Sequence, residues 1–366
     1  MYRYEISQTN GFHIPFITHK LHIDWKLLKR LKRSTSRCTT LLTEQLQKGI
    51  TIHKAIVNCI ISQLCTIKKK YRNRHLNYIL DEFLQFFIYT YKPKCAISVR
   101  RLSRETYQSL LLYYTSGRSL NSVHIFEKIL TSIDTLCVRI KAFDVDAVIP
   151  SCIYVPSLHD ILLPDACIQD CHFLLFSDPY LPDGIFQSRK KPKVLFNTYH
   201  ISDIYRLYCV FVHEYIPGHF WHWYKQGCFE QPDLVEGWAC LTEKIFADIS
   251  GTKYLHYVSL LMQLERYVVA IVDIGINSEY QWSYHTAQHF IMTGKIGSAL
   301  LCPTFHGLHT THEDIKRKIT RVISIPGGSI SYIYSSEDLQ EKYTQLKKKQ
   351  RNIKDILHCL FNNVVH

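Results

Sequence analysis

Apolar residues recur at helical spacing along much of this chain. Leu27, Leu28 and Leu31 begin the pattern, Leu41, Leu42 and Leu46 repeat it, and residues 20–140 read as mostly helical. Gly49 punctuates the run, and Thr51 offers an N-cap for a helix over 53–70. Further helices are predicted over 76–91, 104–114 and 121–142, with Pro93 and Gly117 as breakers and Asn121 or Ser122 as a cap. Their expected job is to wall a cleft, with the tyrosine-rich faces turned into the core. After residue 142 the character changes. Pro150, Pro156, Pro164, Pro179, Pro182 and Pro192 exclude long helices, while 152–155 and 172–176 suit short strands. Residues 193–196 are expected as an edge strand on which an extended peptide can add. Helices are predicted again over 253–276, 283–292 and 313–323, and a charged helical stretch over 335–361. The pattern describes a mainly α fold with a small β element. Residues 1–142 form a helical region and 143–366 carry the chemistry, within one continuous domain.

One helix changes its nature partway. Residues 207–212 (LYCVFV) are apolar, and His213-Glu214-Tyr215-Ile216-Pro217-Gly218-His219 follows at once, with Glu236-Gly237-Trp238-Ala239 downstream. Zinc takes neutral imidazole and carboxylate, and catalytic sites keep three protein ligands and one open position. In the usual H-E-x-x-H arrangement the two histidines share a helix face. Here the second is six residues on, about 120° away around a regular helix. Pro217 and Gly218 supply the remedy, since Pro breaks the hydrogen-bond ladder and Gly permits unusual dihedrals. A break there would swing His219 back toward His213. Glu236, on a following helix after Gly227 and Pro232, is the expected third ligand of a Zn²⁺ ion. Glu243, two turns further on, shares its face and would orient a ligand histidine by accepting its other ring N–H. Glu214 would serve as general base on the zinc-bound water. The ordinary alternative is chance, since 20 of the 366 residues are histidine and His-Glu pairs arise without purpose.

Arg266 lies on the predicted helix 253–276. Its guanidinium would either pair with a ligand carboxylate or clamp a substrate carboxylate.

HEYIPGH followed by EGWACLTE resembles the HExxPGH and EGWAxxxE signatures of domain-of-unknown-function family 885, which is grouped with the gluzincin-type zinc metallopeptidases. Further segments are similar in the same order: KGIT at 48–51, KVLFNTY at 193–199, the Arg266 helix ending in Val272-Asp273-Ile274-Gly275, and Ile325-Pro326-Gly327 with Tyr332. The resemblance is fullest over the last half of the chain, and the helical N-terminal region reads as shortened. It implies a gluzincin-like helical metallopeptidase with the β element beside the zinc-binding helix, cleaving peptide bonds of oligopeptides. It also implies that Tyr332 donates to the developing oxyanion; without it, Tyr332 reads as a buried core tyrosine. Several positions depart from the family. Phe220 stands where a histidine usually follows the second motif histidine, with His222 displaced. Asn277 replaces a histidine, Val269 an arginine and Gly328 a glutamine. If the histidine replaced by Asn277 stabilises the tetrahedral intermediate, its loss weakens catalysis and spares zinc binding. The alternative function is therefore a catalytically impaired member acting as a binding or regulatory protein.

Composition adds bounds. At 46% hydrophobic the chain can bury a substantial core. The net charge of +13 favours acidic surfaces, but the basic runs at 26–33, 68–74, 189–193 and 347–351 read as solvated faces. No nucleic-acid fold motif accompanies them, so no nucleic-acid partner is expected. Thirteen cysteines lack a paired repeat, and Cys167 and Cys171 beside His172 read as plain thiols. The N-terminal residues lack the apolar core of a signal peptide, and Arg266 interrupts the best candidate membrane span. These features lead to an expectation of a soluble, reduced, cytoplasmic protein, although many members of the resembled family are exported.

Overall fold

The computed structural model describes residues 102, 104–115, 118, 121–143, 171–177, 182–187, 192–201, 203–226, 232–296, 299–300, 311–349 and 352–365. The helices expected before residue 102, the K-G-I-T turn, the strand at 152–155 and Cys167 lie outside them. The described residues are mainly helical with a small three-stranded sheet, as the hydrophobic pattern indicates.

Helices α1 (Arg104–Tyr114) and α2 (Ser122–Lys141) come first, and the Asn121 side chain caps α2 by accepting from the Val123 N–H. Strands β1 (His172–Phe176), β2 (Gly184–Gln187) and β3 (Lys193–Asn197) follow. The sheet order is β1-β3-β2, with β1 parallel and β2 antiparallel to β3. This corrects the edge-strand expectation for 193–196. That segment is the central strand, and its backbone is already paired on both sides. Its alternating burial, with Val194 and Phe196 inward, reflects the core that it crosses. The strand missing from the sequence reading, β2, is an edge.

Next come α3 (Ile204–Glu214), α4 (His219–Gln226), α5 (Pro232–Ser250) and α6 (Lys253–Asn277). After α7 (Tyr284–Thr293) a short ladder pairs β4 (Lys295–Ile296) with β5 (Ala299–Leu300). Helix α8 (His312–Ser324), a 3₁₀ turn (Gly328–Ile330), α9 (Ser331–Lys349) and α10 (Ile353–Val365) complete the described chain. The C-terminal stretch is thus two helices instead of one, and Tyr332 sits in the first turn of α9.

Two apolar clusters form the core. One gathers α1, α2, α7, α8 and the C-terminal half of α6. The other gathers the sheet, α3, α4, α5, α10 and the distal part of α9. Helix α6 serves both, placing Leu255, Val258 and Met262 in the second and Leu264, Val268 and Ile271 in the first. Among the described residues no helix is long and apolar enough to cross a membrane.

Candidate metal centre

The candidate residues meet beside α6, and local chemistry explains how. Asp203 caps α3 by accepting from the Arg206 N–H at 2.8 Å. The helix then runs until Glu214 and stops, with Tyr215 outside helical geometry and a cis bond between Ile216 and Pro217. Helix α4 starts afresh at His219. Gly218 is required here because a Cβ at this position would overlap the His213 carbonyl. The buried Trp238 holds the bend from the other side, donating its indole N–H to the Pro217 carbonyl at 2.6 Å. With the helix broken in this way, the rings of His213 and His219 stand 4.7 Å apart at 88°. A continuous helix would have pointed them apart.

Glu236 reaches both histidines from the second turn of α5. Its Oε2 lies 3.6 Å from His213 Nε2 and 3.3 Å from His219 Nε2. Among the described residues the buried Oε2 atoms of Glu236 and Glu214 find no hydrogen-bond donor. Two ligands bound to one zinc at tetrahedral angles stand about 3.3–3.6 Å apart. Two ring nitrogens and a carboxylate oxygen at this spacing, with buried oxygens lacking donors among the described residues, form a donor set of the kind that holds Zn²⁺.

The opposite face of His213 is fixed by Glu243. Its Oε1 is 2.6 Å from His213 Nδ1, and Arg266 donates to Oε2 at 2.8 Å and to Oε1 at 2.5 Å. A ring held at Nδ1 by a carboxylate has its Nε2 turned toward Glu236. Burial disfavours a charged His213, yet Glu236, Glu243 and Glu214 outweigh it and bring its pKa up to about 9. Burial would also raise Glu236, but the two histidines hold it well below the carboxylate range. Glu243 is lowered against burial by Arg266 and His213. Another grouping, His213, Cys240 and Glu243, has ligand atoms within 4.8 Å. It is the poorer donor set, since Arg266 occupies both oxygens of Glu243 and burial pushes the Cys240 thiol far up.

Glu214 faces the same space. Its pKa is raised, chiefly by burial, with His219 and His213 opposing, and it accepts from the Phe186 backbone N–H of β2. A carboxylate made more basic is suited to taking a proton from water. Tyr332 lies beyond, its ring nearly parallel to that of His213 at 6.4 Å between centroids. Its oxygen accepts from Arg321 Nη2 at 2.8 Å, which leaves the phenol hydrogen free to point elsewhere.

The VDxG and PG segments meet through a single carboxylate. Asp273 accepts from Gly327 N at 2.9 Å, Ser329 N at 3.2 Å, Tyr107 OH at 3.2 Å and Asn277 Nδ2 at 3.1 Å. This clamp sets the turn from which α9 departs with Tyr332. Asn277 is buried in that network and also lies 3.5 Å from the Val322 carbonyl. The sequence reading gave no role to Arg321, Phe186 or the Trp238 donor. An arginine inside the apolar stretch 319–325 was the available signal for the first.

Fold and site together define a mainly helical protein with a buried His-His-Glu cluster and an adjacent glutamate. Residues 188–355 match the family model described as "Bacterial protein of unknown function (DUF885)". The crystal structure of a protein from Colwellia psychrerythraea, provisionally named a lipoprotein, aligns with a TM-score of 0.54 and 15% identity over 92% of this chain and 68% of that one. At that identity the likeness is one of fold. A protein from Shewanella oneidensis, also provisionally named a lipoprotein and of unknown function, aligns with a TM-score of 0.47 and 12% identity over 100% of this chain and 83% of that one. No curated protein matches the chain.

Proposed function

We propose that this protein is a zinc-dependent, gluzincin-like hydrolase of peptide bonds in oligopeptides. The observation that carries the reading is the convergence of His213 Nε2, His219 Nε2 and Glu236 Oε2 beside the buried, unbonded Oε2 of Glu214. His213, His219 and Glu236 would hold the ion, which when bound supplies Lewis acidity toward a carbonyl oxygen and a water. Glu214 takes the proton of the attacking water and returns it to the leaving amine. Tyr332, its oxygen occupied by Arg321, turns its hydrogen toward the charge developing on the carbonyl oxygen. Glu243 and Arg266 act through His213 by fixing its ring and tautomer.

The test combines metal content and hydrolysis. Elemental analysis is expected to find about one zinc per chain, lost in His213→Ala. Glu214→Gln is expected to keep the zinc and lose peptide hydrolysis by at least about 100-fold. Equal turnover by the variant and the parent sinks the reading. Asn277, engaged with Asp273 where the resembled family carries a histidine, favours a second reading, a binding or regulatory protein that keeps the site without turnover. A cytoplasmic location stays the reading of the sequence composition. The lipoprotein naming of the Colwellia structure stands on the other side, and cell fractionation decides between them.

A further inference from the structure

We infer that Arg321 binds a carboxylate of the substrate, the C-terminal carboxylate of a peptide, and so directs the site toward bonds near the C-terminus. This rests on the hydrolase reading for its consequence, though not for the binding itself.

The partners of the neighbouring cations carry the argument. Arg206 is held by Asp183 at 2.6 Å and Glu265 at 2.9 Å. Arg266 is held by both oxygens of Glu243, and Arg317 and Lys318 by Asp314 at 2.5 and 2.7 Å. Each has its counter-ion inside the protein. Arg321 does not. Among the described residues its only hydrogen-bond partner is the oxygen of Tyr332, and no carboxylate lies within ion-pair distance. Its guanidinium also lies 5.8 Å from the Tyr332 ring centroid. A guanidinium has five N–H donors in a planar fork, and carboxylates match that fork with two parallel bonds. One donor is used here, and among the described residues the remainder have no carboxylate to meet.

Position gives this vacancy in pairing its meaning. Arg321 is only partly buried, so it is reachable, and it senses the charges of Glu236 and Asp183. It touches Tyr332, and Tyr332 stacks over His213. A carboxylate gripped here therefore lies close to the carbonyl that His213 and Glu214 would face. For a peptide, that puts the scissile bond near its C-terminus. The role once open to Arg266, clamping a substrate carboxylate, falls to Arg321 because Glu243 already occupies Arg266.

The experiment is calorimetric titration of the full chain carrying Glu214→Gln, loaded with zinc, against N-benzoyl-glycyl-phenylalanine and against its C-terminal amide. The acid is expected to bind at least about 10-fold more tightly than the amide, as a charge-assisted pair provides. Adding Arg321→Met is expected to bring the acid down to the affinity of the amide and to leave the amide unchanged. Arg321→Lys, which keeps the charge and the stem without the fork, is expected to fall between. Equal affinities for acid and amide in the parent overturn the assignment, and so does an acid preference that survives Arg321→Met. Hydrolysis of the same pair by the chain with Glu214 intact separates the two readings. An acid preference in binding without any hydrolysis removes the hydrolase and leaves the anchor, whereas hydrolysis without an acid preference does the reverse.

Discussion

The Nδ1 nitrogen of His213 lies 2.6 Å from Oε1 of Glu243, and that bond decides which face of the imidazole meets Glu236. Arg266 in turn holds Glu243 through both oxygens. The three side chains form a brace running from α6 through α5 to α3, buried at its Glu243 centre.

Glu243→Gln should affect metal and fold separately. Loss of the carboxylate leaves Arg266 without its counter-ion, at a cost of about 3 kcal/mol in denaturant unfolding. Zinc affinity, measured by competition with a chelator, is expected to fall about 10–100-fold. Combining it with Arg266→Met should restore much of the stability and none of the affinity. Recovery of both would mean that Glu243 does not orient His213.

Gly218→Ala puts a methyl group against the His213 carbonyl. Either the bend opens or α4 shifts, and both separate the two rings. A stability loss of roughly 2–4 kcal/mol is expected, together with loss of zinc from the purified protein. A variant with parental thermal midpoint and zinc content would show that the bend does not depend on this glycine.

Trp238→Phe keeps most of the buried ring but removes the donor to the Pro217 carbonyl. A buried acceptor left without its partner costs about 1–3 kcal/mol, visible in urea unfolding. Because the bend carries His219, zinc affinity should weaken as well. Unaltered values for both would assign Trp238 to packing alone.

Asp273 gives a pH signature of defined sign. Burial drives its pKa up from 3.8 to about 6, against the hydrogen bonds from Gly327, Asn277, Ser329 and Tyr107. Between those values the folded state binds more protons than the unfolded chain, so stability falls as pH rises from about 4 to about 6. The full shift corresponds to about 3 kcal/mol. Asp273→Asn cannot titrate there. The stability difference between parent and variant, from urea unfolding at each pH, should therefore shrink by nearly that amount between pH 3 and pH 7. A difference that stays constant across the range contradicts the shift.

Much of this arrangement was legible from spacing. The six-residue gap between His213 and His219 demanded a broken helix, and Pro217-Gly218 marked where it breaks. The seven-residue step from Glu236 to Glu243 placed both carboxylates on one face of α5. Relations across elements were less visible. Residues 193–196 were readable as a strand, but a strand's local pattern does not show which strands flank it, so its central place was misjudged. Arg266 had two roles open to it, because helical periodicity does not reveal which carboxylate an opposing helix presents. Arg321 carried even less signal, since what sets it apart is that its neighbours have counter-ions and it has none among the described residues.

Helix α5 makes its most extensive contact with α9, and Gly237 is the reason that the two backbones come so close. A Cβ at Gly237 would stand 2.9 Å from the main-chain carbon of Ser335. Glu236 is the residue before this contact and Tyr332 lies one helical turn before Ser335. The distance between the carboxylate and the phenol is therefore gauged by the Gly237 backbone against the backbone and Cβ of Ser335, with no long side chain interposed as a compressible shim. Core residues around the two helices are free to drift in size without resetting that gauge, whereas any side chain at position 237 acts as a wedge driven between the jaws.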